Sequence, residues 1–303
     1  MSNLNALKMA AIVLFIVFCN SASAVITIKT TLKRGMFTKR IIVNAISNGG
    51  YRDKCLKLNI TNPNSDTAVS VFIDPAMIFG PDQPGYQNLV ALGNETIAVA
   101  PSATVSIDLQ AYCGISYAHS PAANVSYKFL KQGDSIMIKT MTFIKQHNIS
   151  NYIAQSAVWM FTNEHPLSRV YSRQDPANSE LLVKYTAGLK KIKVPEMYME
   201  IKQNDRIGEA VVSVRDIPKL YVPVKWSNDN TKRMYVTVYK ENGDVYKKVD
   251  GHEEIDYTGH TVWVEFNIVN DAKGVYFVEL KDEDNLVLQR KKVNVGYSIE
   301  EGL

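Results

Sequence analysis

The side chains most able to do chemistry in this 303-residue chain are three cysteines (Cys19, Cys55 and Cys113) and five histidines. Thiolates are nucleophiles and metal ligands. No CxxC pair occurs and the histidines are scattered, so no metal site is expected. Ser-His-Asp catalysis needs its nucleophile on a constrained turn. There is no G-x-S-x-G elbow, and no histidine has a readable partner. His252-Glu253-Glu254 is not H-E-x-x-H and follows a hairpin, so it reads as a solvated charged turn. Asp282 and Asp284 lack the glycine and distal glutamate of a calcium loop and read as exposed turn carboxylates. No glycine-rich loop cradles a phosphate, and no cofactor is expected. Two distant carboxylates can still meet in a glycosidase cleft, which keeps a secreted hydrolase with an unrecognised site as one alternative. The charge balance, 34 Lys+Arg against 30 Asp+Glu for a net +4, is mild and evenly spread, which argues against nucleic acid.

The elements that must position these residues begin after an address. Lys8, the apolar run 9–18 (MAAIVLFIVF) and Ala22-Ser23-Ala24 have the layout of a secretory signal peptide cleaved after Ala24. Cys19 is then discarded, and a secreted or cell-surface location follows. The run is too short for a spanning helix, which needs about 20 residues, and no later stretch is long enough. No transmembrane span is expected in the mature chain.

Residues 25 to about 130 alternate as strands do. Leu56, Leu58 and Ile60 share one face, Val69, Val71 and Ile73 another, and Val105, Ile107, Leu109 and Ala111 a third. One-sided strands at short spacing predict an antiparallel sandwich. Residues 79–87 (FGPDQPGYQ) read as a loop, because two prolines and two glycines weaken a ladder. Helical spacing then appears. Met137, Met141 and Ile144 predict a helix near 134–146. Ile149, Ile153, Ala157 and Phe161, with Ser150 as N-cap, predict another near 150–162. Residues 180–191 predict a third, ended by Pro195, after a loop at 173–179. From 196 onward strands return. Val262, Val264, Phe266 and Ile268 alternate, and Asn242-Gly243 and Asp284-Asn285 mark hairpins. The expected fold is mainly β, with two sandwiches. The first spans 25–194 and carries the helices, and the second, immunoglobulin-like, spans 195–303.

Two mature cysteines in a secreted chain suggest a Cys55–Cys113 disulfide, worth about 4 kcal/mol through the loop it closes. The strand phase complicates this pairing. Cys113 is in phase with the inward Val105–Ala111 set, and Cys55 with the outward Lys57, Asn59 and Thr61. Cβ vectors on opposite faces bridge poorly unless a bulge resets the phase.

Ala111-Tyr112-Cys113, then Pro121 and Tyr127, a helical pair and Ala154-Gln155-Ser156-Ala157-Val158-Trp159 resemble the pattern of bacterial surface thioester domains. The resemblance implies a bond between Cys113 and Gln155 and covalent capture of amines on another surface. A disulfide, a thioester and two separate thiols therefore all stay open for Cys113. Further on, Tyr235-Val236-Thr237-Val238-Tyr239 with Asn242-Gly243 is similar to the hairpin of type IX secretion sorting domains. Gly274-Val275-Tyr276-Phe277-Val278 and Lys291-Lys292-Val293 are similar to their ending. That resemblance implies passage across a bacterial outer membrane. The leading expectation is a non-enzymatic adhesion or extracellular structural protein with a protein or glycan partner. A covalent thioester adhesin using Cys113 and Gln155 is the sharper alternative.

Overall fold

A computed structural model describes residues 26–116, 118–203, 211, 219–227, 233–250, 260–267 and 271–295. The signal-peptide segment and His252-Glu253-Glu254 lie outside them. The chain is mainly β, with several sheets. Contacts group it into two compact units: 1–44, 58–74 and 94–107 form the first, and 45–57, 75–93 and 108–303 the second. The position 194/195, expected to separate two domains, falls inside the second unit.

In the first unit, β1 (Ile26–Thr31) pairs in parallel with β4 (Thr67–Ile73), which pairs antiparallel with β7 (Glu95–Val99). The parallel pair departs from the expected all-antiparallel arrangement. A short helix α1 (Leu32–Phe37), capped by the Thr31 side chain, and two strands intervene between β1 and β4, which is what a parallel return requires. Val69, Val71 and Ile73 face inward together with Leu58 and Ile60, as their alternation demands. Asn62 is fully buried and spends its side-chain N–H groups on Thr67 and Ala100 carbonyls, at 2.7 and 3.2 Å.

In the second unit, β2 (Ile42–Asn48), β10 (Ala123–Gln132), β5 (Met77–Pro81), β6 (Leu89–Ala91) and β9 (Ala111–Cys113) run side by side in that order. The chain passes between the units within β2, β3 (Leu56–Thr61) and β8 (Thr104–Leu109). Strand β5 occupies the start of the expected 79–87 loop. Pro81 is its last residue, where a missing N–H costs least. At Gly80 a Cβ would stand 2.6 Å from Leu130 Cδ1, so a larger residue there displaces the half-exposed Leu130 side chain.

Helices α2 (Ser135–Gln146) and α3 (Asn151–Thr162) lie where the spacing predicts them. Asp134 caps α2, its carboxylate accepting from Met137 N–H at 2.8 Å. Helix α4 (Pro176–Lys190) starts inside the segment read as loop and ends before Pro195. Asp175 is its N-cap and Pro176 sits at its first turn, a start signal that overrides the polar composition. Lys191, at φ 56°, ends it in the left-handed region. The buried faces of all three helices share one core with Ile78, Val90, Leu92 and Tyr112.

Beyond Pro195 there are two further sheets. One runs β11 (Tyr198–Glu200), β12 (Lys219–Trp226), β15 (His260–Asn267), and the other β14 (Val245–Asp250), β13 (Met234–Lys240), β16 (Gly274–Asp282), β17 (Val287–Val295). Their inward residues, among them Val222, Val264 and Phe266 from one and Val238, Val278 and Val293 from the other, form a common core. Gly243 (φ 89°) and Asn285 (φ 63°) turn the expected hairpins. Asp282 corrects an expectation. It is 4 % exposed, and its carboxylate accepts from the N–H groups of Asp284 and Leu286 at 3.0 and 2.9 Å, so it builds the turn from within.

Candidate functional site

Strand β9 sets the site. Its Ala111 and Cys113 N–H groups donate to the Asp53 and Tyr51 carbonyls at 2.8 and 2.9 Å. Leu89 of β6 is the partner of Cys113 on the other side. Both thiols end up buried. Cys113 has no exposed surface and Cys55 keeps 1 %. Cys55 lies one residue before β3. Asp53, at φ 63°, and the Cys55 N–H bond to the Asp53 carbonyl (2.8 Å) fold the chain just ahead of it. That turn frees Cys55 from the outward phase of Lys57 and Asn59. Its Sγ–H points to the Ala111 carbonyl at 3.2 Å.

The disulfide expected of these two residues is not formed here, since both are free thiols. Burial pushes the Cys55 thiol up to about 12, and the Cys113 thiol goes well above its ordinary value through burial and then through Cys55. Both are neutral at physiological pH.

Gln155 is the residue that meets Cys113. It is fully buried, on the face of α3 that also carries Asn151 and Trp159. Its Oε1 accepts from Cys113 N–H at 2.9 Å, and its Nε2 donates to the Cys113 carbonyl at 2.8 Å. The carboxamide thus docks edge-on against one peptide unit on each side of the Cys113 Cα. Cys113 N–H is shared between Gln155 and Tyr51. One turn further along α3, the buried Trp159 indole N–H has no acceptor among the described residues.

The same helix fastens the chain on both sides of Cys113. Upstream, Asn151 joins Asp53, Gln110 and Tyr112, the last at 3.1 Å. Downstream, Asn163, just past the helix end, donates to the Gly114 carbonyl (2.7 Å) and accepts from Ser116 N–H (3.2 Å). Gln87 completes the clamp by accepting from Ile115 N–H at 3.0 Å.

A Ser–His contact that the sequence did not reveal sits three residues beyond Cys113. Ser116 Oγ and His165 Nε2 are 3.2 Å apart and both residues are buried. Burial, and then Arg169, lowers His165 to about 4, so the imidazole is neutral at pH 7. No sequence signal pairs residues 49 positions apart.

A cleft of about 660 Å³ opens beside Gly114 and Ile115. Gly114 and Ile115 line one part, Phe161 and Thr162 of α3 another, and Ile78, Asn88, residues 130–134 and Met137 the rest. Among the described residues, no three His, Cys, Asp or Glu side chains group as metal ligands, and no helix is long and apolar enough to cross a membrane. No protein-family model, curated protein or solved structure matches this chain.

Proposed function

We propose that this chain is an exported surface protein that captures amine-bearing partners through a thioester between Cys113 and Gln155. The observation that supports it is the docking of the fully buried Gln155 carboxamide on Cys113 through two hydrogen bonds. The chemistry balances without an external reagent. Cys113 Sγ adds to Gln155 Cδ, the Cδ–Nε2 bond breaks, and the thiol proton leaves with nitrogen as ammonia. A primary amine later attacks Cδ. The C–S bond then breaks, an amide forms and the thiol returns.

The surroundings suit this bond. Burial disfavours a thiolate at Cys113, whereas a thioester carries no charge and tolerates a dry site. The same burial keeps water from hydrolysing it.

Intact mass of the purified mature protein tests the reading. The thioester form is about 17 Da lighter than the sequence and gains about 31 Da on incubation with methylamine, while Cys113→Ser shows neither change. A full mass with two alkylatable thiols overturns the reading. So does a loss of about 2 Da with both thiols blocked, which marks a Cys55–Cys113 disulfide.

Export rests on the leader and on the sorting-domain resemblance of 235–293. Deleting residues 196–303 should abolish surface display, and undiminished display would remove that part of the proposal.

A further inference from the structure

We propose that the cleft beside Gly114 holds the hydrocarbon stem of the attacking amine and so selects longer primary alkylamines over shorter ones. This rests on the thioester reading and adds where the acceptor binds and what the site recognises in it. Residues just beyond each member of the reacting pair line the cleft. Gly114 follows Cys113 directly, and Phe161 and Thr162 end the helix that bears Gln155.

At the position next to Cys113 the wall is bare backbone, since Gly114 has no side chain. Ile78, Ile115, Leu130 and Met137 give the cleft an apolar side, and Asn88, Gln132 and Thr162 give it a polar one. Ile115 and Leu130 keep 40 % and 46 % of their surface exposed, an unspent apolar lip. The charges nearly cancel. The Asp134 carboxylate and the carbonyl end of α3 favour an ammonium group, while Lys131 and the amino end of α2 oppose it. Discrimination therefore falls to burial of methylenes. Because Cys113 and Gln155 have no exposed surface, the amine reaches Cδ by displacing residues 114–115. Ile115 N–H to Gln87 and Asn163 to the Gly114 carbonyl hold that segment shut.

The test is the aminolysis rate of the intact mature protein with methyl-, ethyl-, propyl- and butylamine, each divided by its rate with a small free thioester. The expected rise is about threefold to fourfold per methylene, the increment for burying one CH₂. Ile115→Ser and Leu130→Ser should flatten it, whereas Leu288→Ser, on the exposed face of β17, should keep it. A flat series in the unaltered protein, or a slope untouched by both cleft variants, overturns the inference while a mass deficit of about 17 Da leaves the thioester standing. Absence of that deficit fails both together.

Discussion

Strand β16 meets β13 and β17 through backbone ladders along almost its whole length, from Gly274 to Asp282. Residues 113–116, also in a β-rich setting, are held to α3 by the side-chain amides of Gln155 and Asn163 and to Gln87. A ladder made of peptide groups asks only that side chains alternate, and most single changes leave it standing. A clamp made of side-chain amides depends on each residue, because a buried peptide group whose partner is deleted has no water to turn to. The first arrangement builds a scaffold. The second fixes one cysteine against one carboxamide.

The largest effect in the ladder region should come from its core. Phe266→Ala empties a fully buried site between the two C-terminal sheets and should cost about 3–5 kcal/mol in urea unfolding. Acid should act on the clamp side. His165 is held near 4 when folded and titrates at about 6.5 when unfolded, so the unfolded chain binds the extra proton. Stability is present above pH 6.5 and falls as the pH drops toward 4. His165→Gln should flatten that limb of the urea midpoint against pH; unchanged steepness would detach His165 from it. In a Cys113→Ser background, where no thioester forms and the carboxamide stays intact, Gln155→Ala should cost about 1–3 kcal/mol, since the carbonyl of residue 113 loses its side-chain donor while the N–H keeps Tyr51. The smallest effect belongs to the hairpin. Gly243→Ala, at φ 89°, should cost about 1 kcal/mol and leave amine capture intact. A clamp variant that costs no more than the hairpin variant would erase the contrast.

The same contrast explains what was legible beforehand. Alternation over Val262–Phe266, the Asn242-Gly243 turn and the spacing of Met137, Met141 and Ile144 report local geometry, and the elements lie there. Where local signals conflicted, composition misled. Gly80 and Pro81 read as loop but end a strand, and Asp175-Pro176 hid a helix start in a polar run. The clamp was opaque for another reason. Gln87, Asn151 and Asn163 look like surface residues in any hydropathy pattern, and their partners lie 28 to 98 positions away. Gln155 stood out only through its resemblance to a known motif. The Ser116–His165 contact had no signal at all.

The most direct measurement is a peptide map of the mature protein, digested at mildly acidic pH without reductant. The account predicts that the peptide containing Cys113 is recovered joined to the one containing Gln155, about 17 Da below their summed mass, and that amine treatment separates them. Recovery of the two peptides unlinked before any amine is added, with Cys113 alkylatable and Gln155 an unmodified carboxamide, would contradict it.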